Sequence, residues 1–297
     1  MDFIFAKILM SLDLKGTLLS NSVLLAVILA ALLHASWNAA VKGGSDKLTQ
    51  MAAVTIGHVP YAAIGLLILP PIDWAAWPYL IAGGALHFGY QIFLVQSYKM
   101  GDLSQVYPIA RGTAPLVVTL VSVVFLSVPL SALQIIGILC IAGGILSMGL
   151  SSRSPTAGKA TIAAIITGCF IASYSLVDGL GARVAMSPVA FYCWLAFLNA
   201  ALMGAYIHFI GHRNPLTLPI GNPLIFWGGG FASFAAYSLV VWAFFQAPIA
   251  LVTALRETSM IFALIIGYLF MNERLNRTKI IAVALTLTGV LIVRLNS

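Results

Sequence analysis

Apolar residues run for about twenty positions at a time along this chain, broken by short clusters of glycine, proline and charge. About twenty such residues make a helix long enough to cross a bilayer. On that length the pattern predicts ten spans, near 22–41, 49–70, 76–97, 104–126, 131–150, 160–180, 188–210, 223–245, 249–270 and 278–295. The breaks carry turn chemistry, as at Gly43-Gly44, Pro70-Pro71, Arg153-Ser154-Pro155, His212-Arg213-Asn214-Pro215 and Gln246-Ala247-Pro248. Ahead of the first span, Phe5, Ile8, Leu9 and Leu12 form an i, i+3, i+4, i+7 stripe. Residues 1–21 therefore read as a short interfacial helix or a tail, and their lack of a basic start argues against a signal peptide.

Polar residues inside the spans are few, and they fall on faces. In the fourth span Ser104, Tyr107, Pro108, Arg111 and Pro115 share one helical face. An arginine that deep costs roughly 2.5–3.5 kcal/mol on insertion scales, so it needs a partner, a cavity or a function. Each proline also releases a carbonyl, which is tolerated at membrane depth only against protein or water. The pattern returns at Thr253-Ala254-Leu255-Arg256-Glu257-Thr258-Ser259. Further faces carry His34, Trp37, Asn38 and Val41 in the first span, and His87, Tyr90, Gln91 and Tyr98 in the third. The sixth offers Tyr174, Val177 and Asp178, the seventh Tyr192, Asn199 and Tyr206, the eighth Ser233, Tyr237 and Val240. One wet cavity shared by spans 1, 3, 4, 8 and 9 accounts for the set. Interhelical hydrogen bonding and aromatic packing account for any single member.

Composition narrows the class. Apolar residues make up 61% of the 297 and charged residues 8%, with mean hydropathy +1.03. No soluble domain of this size keeps its surface wet on that composition, so this is an all-helical, multi-pass membrane protein. The net charge of +7 has no basic run behind it, which points to anionic lipid rather than nucleic acid. Cys140, Cys169 and Cys193 each lie in an apolar run without metal-ligand spacing and read as packing residues. No metal or other cofactor is expected, and no Walker motif or hydrolase signature is present.

The halves repeat. Arg111-x-Thr113 and Arg256-x-Thr258 stand 145 residues apart. The same shift aligns Phe125 with Phe270, Leu130 with Leu275, Gly144 with Gly289 and Leu146 with Leu291. Five spans per half is an odd number, so the second half enters from the opposite side. The fold class expected is ten helices as two inverted five-helix repeats, over 22–150 and 160–297, joined by a linker at 151–159. Substrates of such proteins bind near the midplane between the halves.

Ten helices in this arrangement, His34-Ala35-Ser36-Trp37-Asn38 through Lys42 in the first, and Met271-Asn272-Glu273-Arg274-Leu275 after the ninth, resemble EamA-type transporters of the drug/metabolite transporter superfamily. The resemblance covers residues 22–296. It implies a secondary transporter, mostly an exporter of amino acids or other small metabolites, in a bacterial plasma membrane. Small multidrug exporters of that superfamily carry a glutamate in the first helix; this chain has none there. A drug-like amphipathic cargo is the alternative within the class, and a membrane enzyme or channel the alternative outside it.

The residues expected to touch the substrate are Arg111, Arg256, Trp37, Asn38, Tyr90, Tyr107 and Tyr237. The arginines would hold an acidic group through paired hydrogen bonds, or else be neutralised by Glu257 or Asp178. The partners are thus an anionic or zwitterionic solute and the bilayer. Glu257, taken as the acidic residue well inside a span, is a coupling candidate with His34 and His87, or a structural ion pair. Asp178 and Arg183 are expected at a helix end near the interface, and His58 and His208 as packing or interface residues. The side holding both termini collects Lys7, Lys15, Arg183 and Arg294. The other holds Lys42, Lys47, Lys99, Arg153, Lys159, Arg213, Arg274, Arg277 and Lys279. The positive-inside rule then puts both termini outside the cytoplasm, against the usual drawing of the family.

Overall fold

The computed structural model describes residues 19–42, 46–100, 103–150, 157–270 and 275–296. The stripe at residues 5–12, the core of the 151–159 linker and Met271–Arg274 lie outside them. Among the described residues, ten helical spans are long and apolar enough to cross a membrane. In order they are α1 (Asn21–Lys42), α2 (Lys47–Ile56 with Val59–Ile68), α3 (Trp77–Met100), α4 (Leu103–Val124) and α5 (Ala132–Leu150). Then come α6 (Ala157–Ala185), α7 (Pro188–Phe209), α8 (a π-turn at Leu224–Gly229 running into Gly230–Gln246), α9 (Ile249–Arg256 with Ser259–Phe270) and α10 (Arg277–Leu295).

The helices form a closed ring around a polar centre, in the order α4, α6, α3, α7, α8, α1, α9, with α2 against α7. The α5/α10 pair stands beside α4 and α9. Exchanging each helix for the one five later maps several packed pairs onto each other: α3/α6 onto α8/α1, α4/α6 onto α9/α1, α3/α7 onto α8/α2; the close α4/α5 pair has no equal in α9/α10 among the described residues. The α5/α10, α2/α7 and α4/α9 pairs map onto themselves. That is the pseudo-twofold of an inverted repeat. At the α5/α10 crossing glycine is required, because a Cβ on Gly137 would lie 2.9 Å from the Gly289 carbonyl and one on Gly289 2.5 Å from that of Gly137. Small residues let transmembrane backbones approach this closely.

The distribution of side chains is that of a membrane protein. Leu25, Leu29, Ile64, Leu67, Ile81, Leu120 and Leu139 are exposed on the outside, while Gln91, Arg111, Asp178, Arg183, Arg256 and Glu257 are buried. Trp74, 81% exposed, stacks on Trp77 at the start of α3, an interfacial aromatic anchor. Of the cysteines taken as packing residues, Cys193 is buried, whereas Cys169 is exposed on the outer surface.

Two spans expected to be single helices are each broken. In α2, Pro60 brings no N–H, and the His58 N–H turns to the Thr55 carbonyl in a tighter turn. Gly57 there lies directly on Gly230 and the Phe226 carbonyl of α8. In α9 the N–H groups of Glu257, Thr258 and Met260 each bond three residues back, and the Thr258 hydroxyl takes the Leu255 carbonyl at 2.8 Å. Conversely, α6 runs past the expected stop at 180 to Ala185. Gly179 and Gly181 do not end it; they make room for Ile249 and for the Phe191 ring. Asp178 is therefore not at the helix end: it is buried inside α6, whereas Arg183 lies in the last turn, as expected, but is buried too. Glu257 consequently shares the interior with a second acidic residue.

The loops on the side away from the termini are tied to one another. Asp46 caps α2, accepting from the Thr49 N–H at 3.2 Å and its hydroxyl at 2.7 Å. The end of α7 closes with His212 in the left-handed region (φ 51°) and the Arg213 N–H on the Ile207 carbonyl. This aims Arg213 at Asp46 and Thr49, and its guanidinium donates to both. Partial burial works to raise the Asp46 pKa, but the Thr49 hydrogen bonds and Arg213 outweigh it and hold the carboxyl below its ordinary value.

Candidate functional site

A cavity of about 70 Å³ lies at the centre of the ring, walled by α1, α2, α3, α6, α7, α8 and α9. Helical spacing supplies each wall from one face of its helix. From α1 come His34 and Trp37, from α3 His87, Tyr90 and Gln91, and from α8 Ser233, Tyr237 and Val240. The breaks in α2 and α9 deliver Thr55, His58 and Arg256 to the same space. Tyr174 of α6 and Tyr192 of α7 complete an aromatic lining.

The two arginines differ in their surroundings. Arg111 does not line the cavity. Its Nε donates to Glu257 Oε2 at 2.8 Å, its Nη2 donates to Ser259 Oγ at 2.9 Å, and both members of the ion pair are buried. The break in α9 adds the Arg256 carbonyl, 3.5 Å from the same Nη2. Arg256 instead faces the cavity while only 3% exposed. Its Nη2 donates to the Tyr174 hydroxyl at 3.1 Å, and its guanidinium lies 5.5 Å over the Tyr237 ring. Nε and Nη1, both buried, have no hydrogen-bond partner among the described residues. Buried unpaired donors on a cation are costly, so an acceptor group that reached them would be held.

The remaining residues expected at the site divide. Trp37, Tyr90, Tyr237, His34 and His87 line the cavity. Asn38 does not, its amide donating back to the His34 carbonyl at 2.8 Å. Tyr107 stands behind the wall, its hydroxyl 3.4 Å from His34 Nε2. Glu257 is fully buried and bonded to Arg111. His58 is more than a packing residue: it lines the cavity, and its Nδ1 lies 3.4 Å from the Tyr192 hydroxyl. His208 is exposed near the end of α7.

A second polar cluster adjoins the cavity. Asp178 accepts a hydrogen bond from the Tyr237 hydroxyl at 2.5 Å, and its Oδ2 lies 2.7 Å from His87 Nε2. The His87 ring stacks on Tyr174 at 4.0 Å, linking this cluster to Arg256 through the tyrosine that Arg256 bonds. Arg183, one and a half turns on, points away and donates to the carbonyls of Phe244 and Ala247 at the end of α8. The sequence carried a signal for Asp178, a carboxylate in phase with Tyr174, that an early helix stop masked.

Among solved structures, 28 chains match this fold. One, described only as the crystal structure of a protein, superimposes with a TM-score of 0.73 at 19% identity, covering 93% of this chain and 98% of its own. No curated protein matches the chain. The EamA-like transporter family matches residues 21–150 and 158–295, nearly the whole of both halves. With ten apolar spans in two inverted halves, the chain belongs to the EamA-like transporter family, as a multi-pass secondary transporter of the drug/metabolite transporter type.

Proposed function

We propose that this transporter carries a small metabolite with an acidic group, an amino acid or an organic acid, by opening the central cavity alternately to either side. The observation that carries the reading is Arg256, which lines an aromatic cavity and keeps two buried guanidinium nitrogens without hydrogen-bond partners among the described residues. The acidic group would take those donors, and its apolar part would meet Trp37, Tyr90 and Tyr237. Arg111 holds Arg256 in place through the backbone of α9 and does not itself meet the solute. At about 70 Å³ the cavity is well below the roughly 300–1,000 Å³ of ordinary small-molecule pockets, so the walls must part to admit a metabolite. Export, and residence in a bacterial plasma membrane, we propose from the family resemblance.

The test is saturable flux of a metabolite pool in proteoliposomes, read by mass spectrometry. Arg256→Lys keeps the charge but loses the planar fork, and flux of acid-bearing solutes is expected to fall tenfold or more. Undiminished flux would remove the acidic-group reading. The aromatic lining favours one second reading, a drug-like amphipathic cargo. Transport of lipophilic compounds that survives Arg256→Lys would support that instead.

A further inference from the structure

We propose that His87 and Asp178 form a proton-binding site that loads together with an anionic substrate. The inference rests on the acidic group docking at Arg256. Asp178 is fully buried in α6, and no arginine or lysine bonds it among the described residues. Its Oδ2 receives both Tyr237 and His87, while Oδ1 has no hydrogen-bond partner among the described residues and sits where a side chain at Gly83 would put a Cβ 2.6 Å away. A single oxygen meeting the Tyr237 hydroxyl and the His87 ring nitrogen fits an ionised carboxylate that accepts from both, with the His87 hydrogen on Nε2; in the empty carrier we take the imidazole as neutral. Nδ1 then keeps a lone pair and makes no hydrogen bond among the described residues. His87 is 12% exposed on the cavity wall, so water in the cavity reaches it.

Charge balance supplies the coupling. Arg111 and Glu257 cancel each other, and Arg183 is turned away onto the carbonyls at the end of α8, which leaves Arg256 on the cavity wall and Asp178 behind His87, a sum of zero with His87 neutral. A bound monoanion leaves one negative charge in a low-dielectric site, which is costly. A proton moving from water to His87 Nδ1 restores the sum to zero and turns a lone carboxylate into an imidazolium–carboxylate pair. Anion and proton therefore raise each other's affinity by the same factor. A zwitterion brings its own positive charge and needs no proton. The other groups that face the pair are Tyr174, Tyr192, Tyr237, Arg256, His58 and His34. The two histidines are rival proton acceptors, but neither bonds a carboxylate among the described residues. Glu257 is excluded by its bond to Arg111.

The full chain in nanodiscs, with 15N-labelled histidine, tests the site without any substrate. The His87 ring-nitrogen signals, assigned by their loss in His87→Gln, are expected to show the hydrogen on Nε2, facing the carboxylate. That preference should be lost in Asp178→Asn. Should that variant not fold, Tyr237→Phe leaves the carboxylate in place and should keep the hydrogen on Nε2. A His87 with its hydrogen on Nδ1, or one indifferent to Asp178, overturns the site. Calorimetry in buffers of different ionisation enthalpy then tests coupling, with 3-phenylpropionate as the anion and L-phenylalanine as the zwitterion. The anion should take up close to one proton per molecule bound, the zwitterion close to none, and His87→Gln should abolish the uptake. Anion binding that needs Arg256 yet moves no proton overturns the coupling alone. Binding of both probes that is indifferent to Arg256→Ala, or no binding, overturns the acidic-substrate reading and the coupling with it.

Discussion

Arg111 and Arg256 occupy matching places in the two halves and do different work. Their rarity in an apolar chain made both legible in the sequence, but their division of labour was not. Glu257 neighbours Arg256 along the chain and bonds Arg111 in space. Successive helical residues point about 100° apart, and the break in α9 turns them further. Asp178 was hidden for a related reason, since glycines that serve close packing read as a helix stop. The Arg111–Glu257 pair is buried on both sides, and removing one partner strands the other. Arg111→Ala is expected to cost roughly 3–5 kcal/mol, read as a fall in the unfolding temperature of the detergent-solubilised protein. Arg111→Met combined with Glu257→Gln should recover most of that loss, because no buried charge is left alone. A double variant as unstable as the single would contradict this account.

At the scale of helices, apolar run length was enough to find ten spans, because a helix satisfies its own backbone in lipid. The breaks in α2 and α9 were invisible to the same pattern. Thr55-Ile56-Gly57-His58 keeps a helical apolar period, and what interrupts it is contact with Gly230 and Phe226 of a distant helix. The glycines of α5 and α10 give the clearest comparison. A Cβ at Gly289 meets the Gly137 carbonyl, whereas one at Gly143 meets nothing within 4 Å. Gly143→Ala is therefore expected to be neutral or to stabilise by up to about 1 kcal/mol, as glycine is a poor helix former. Gly289→Ala should lower the unfolding temperature by pushing the pair apart. Equal effects of the two substitutions would mean that the crossing is not what holds α5 against α10.

For the whole molecule, the inverted repeat was legible as an odd number of spans per half, and the ring of packed pairs carries that symmetry in space. Orientation depends on the charges at its ends. Arg183 stays on the terminal side, in the last turn of α6, while Lys47, Arg213, Arg277 and Lys279 stay on the opposite side. The imbalance is kept, and both termini are expected outside the cytoplasm. A C-terminal alkaline phosphatase fusion should be active in cells and a C-terminal fluorescent fusion that matures only in the cytoplasm dark; the reverse pattern would place the termini inside. The break in α9 bears on this molecule in one further way. Were the halves identical, exchanging their shapes would turn a state open to one side into its mirror counterpart, and the two would be equally populated in the absence of any gradient. Only α9 is interrupted where α4 runs straight through Pro108 and Pro115, and only α9 contributes a glutamate to the pair. The degeneracy is lifted, so under alternating access the empty carrier rests on one side and must be lifted to the other.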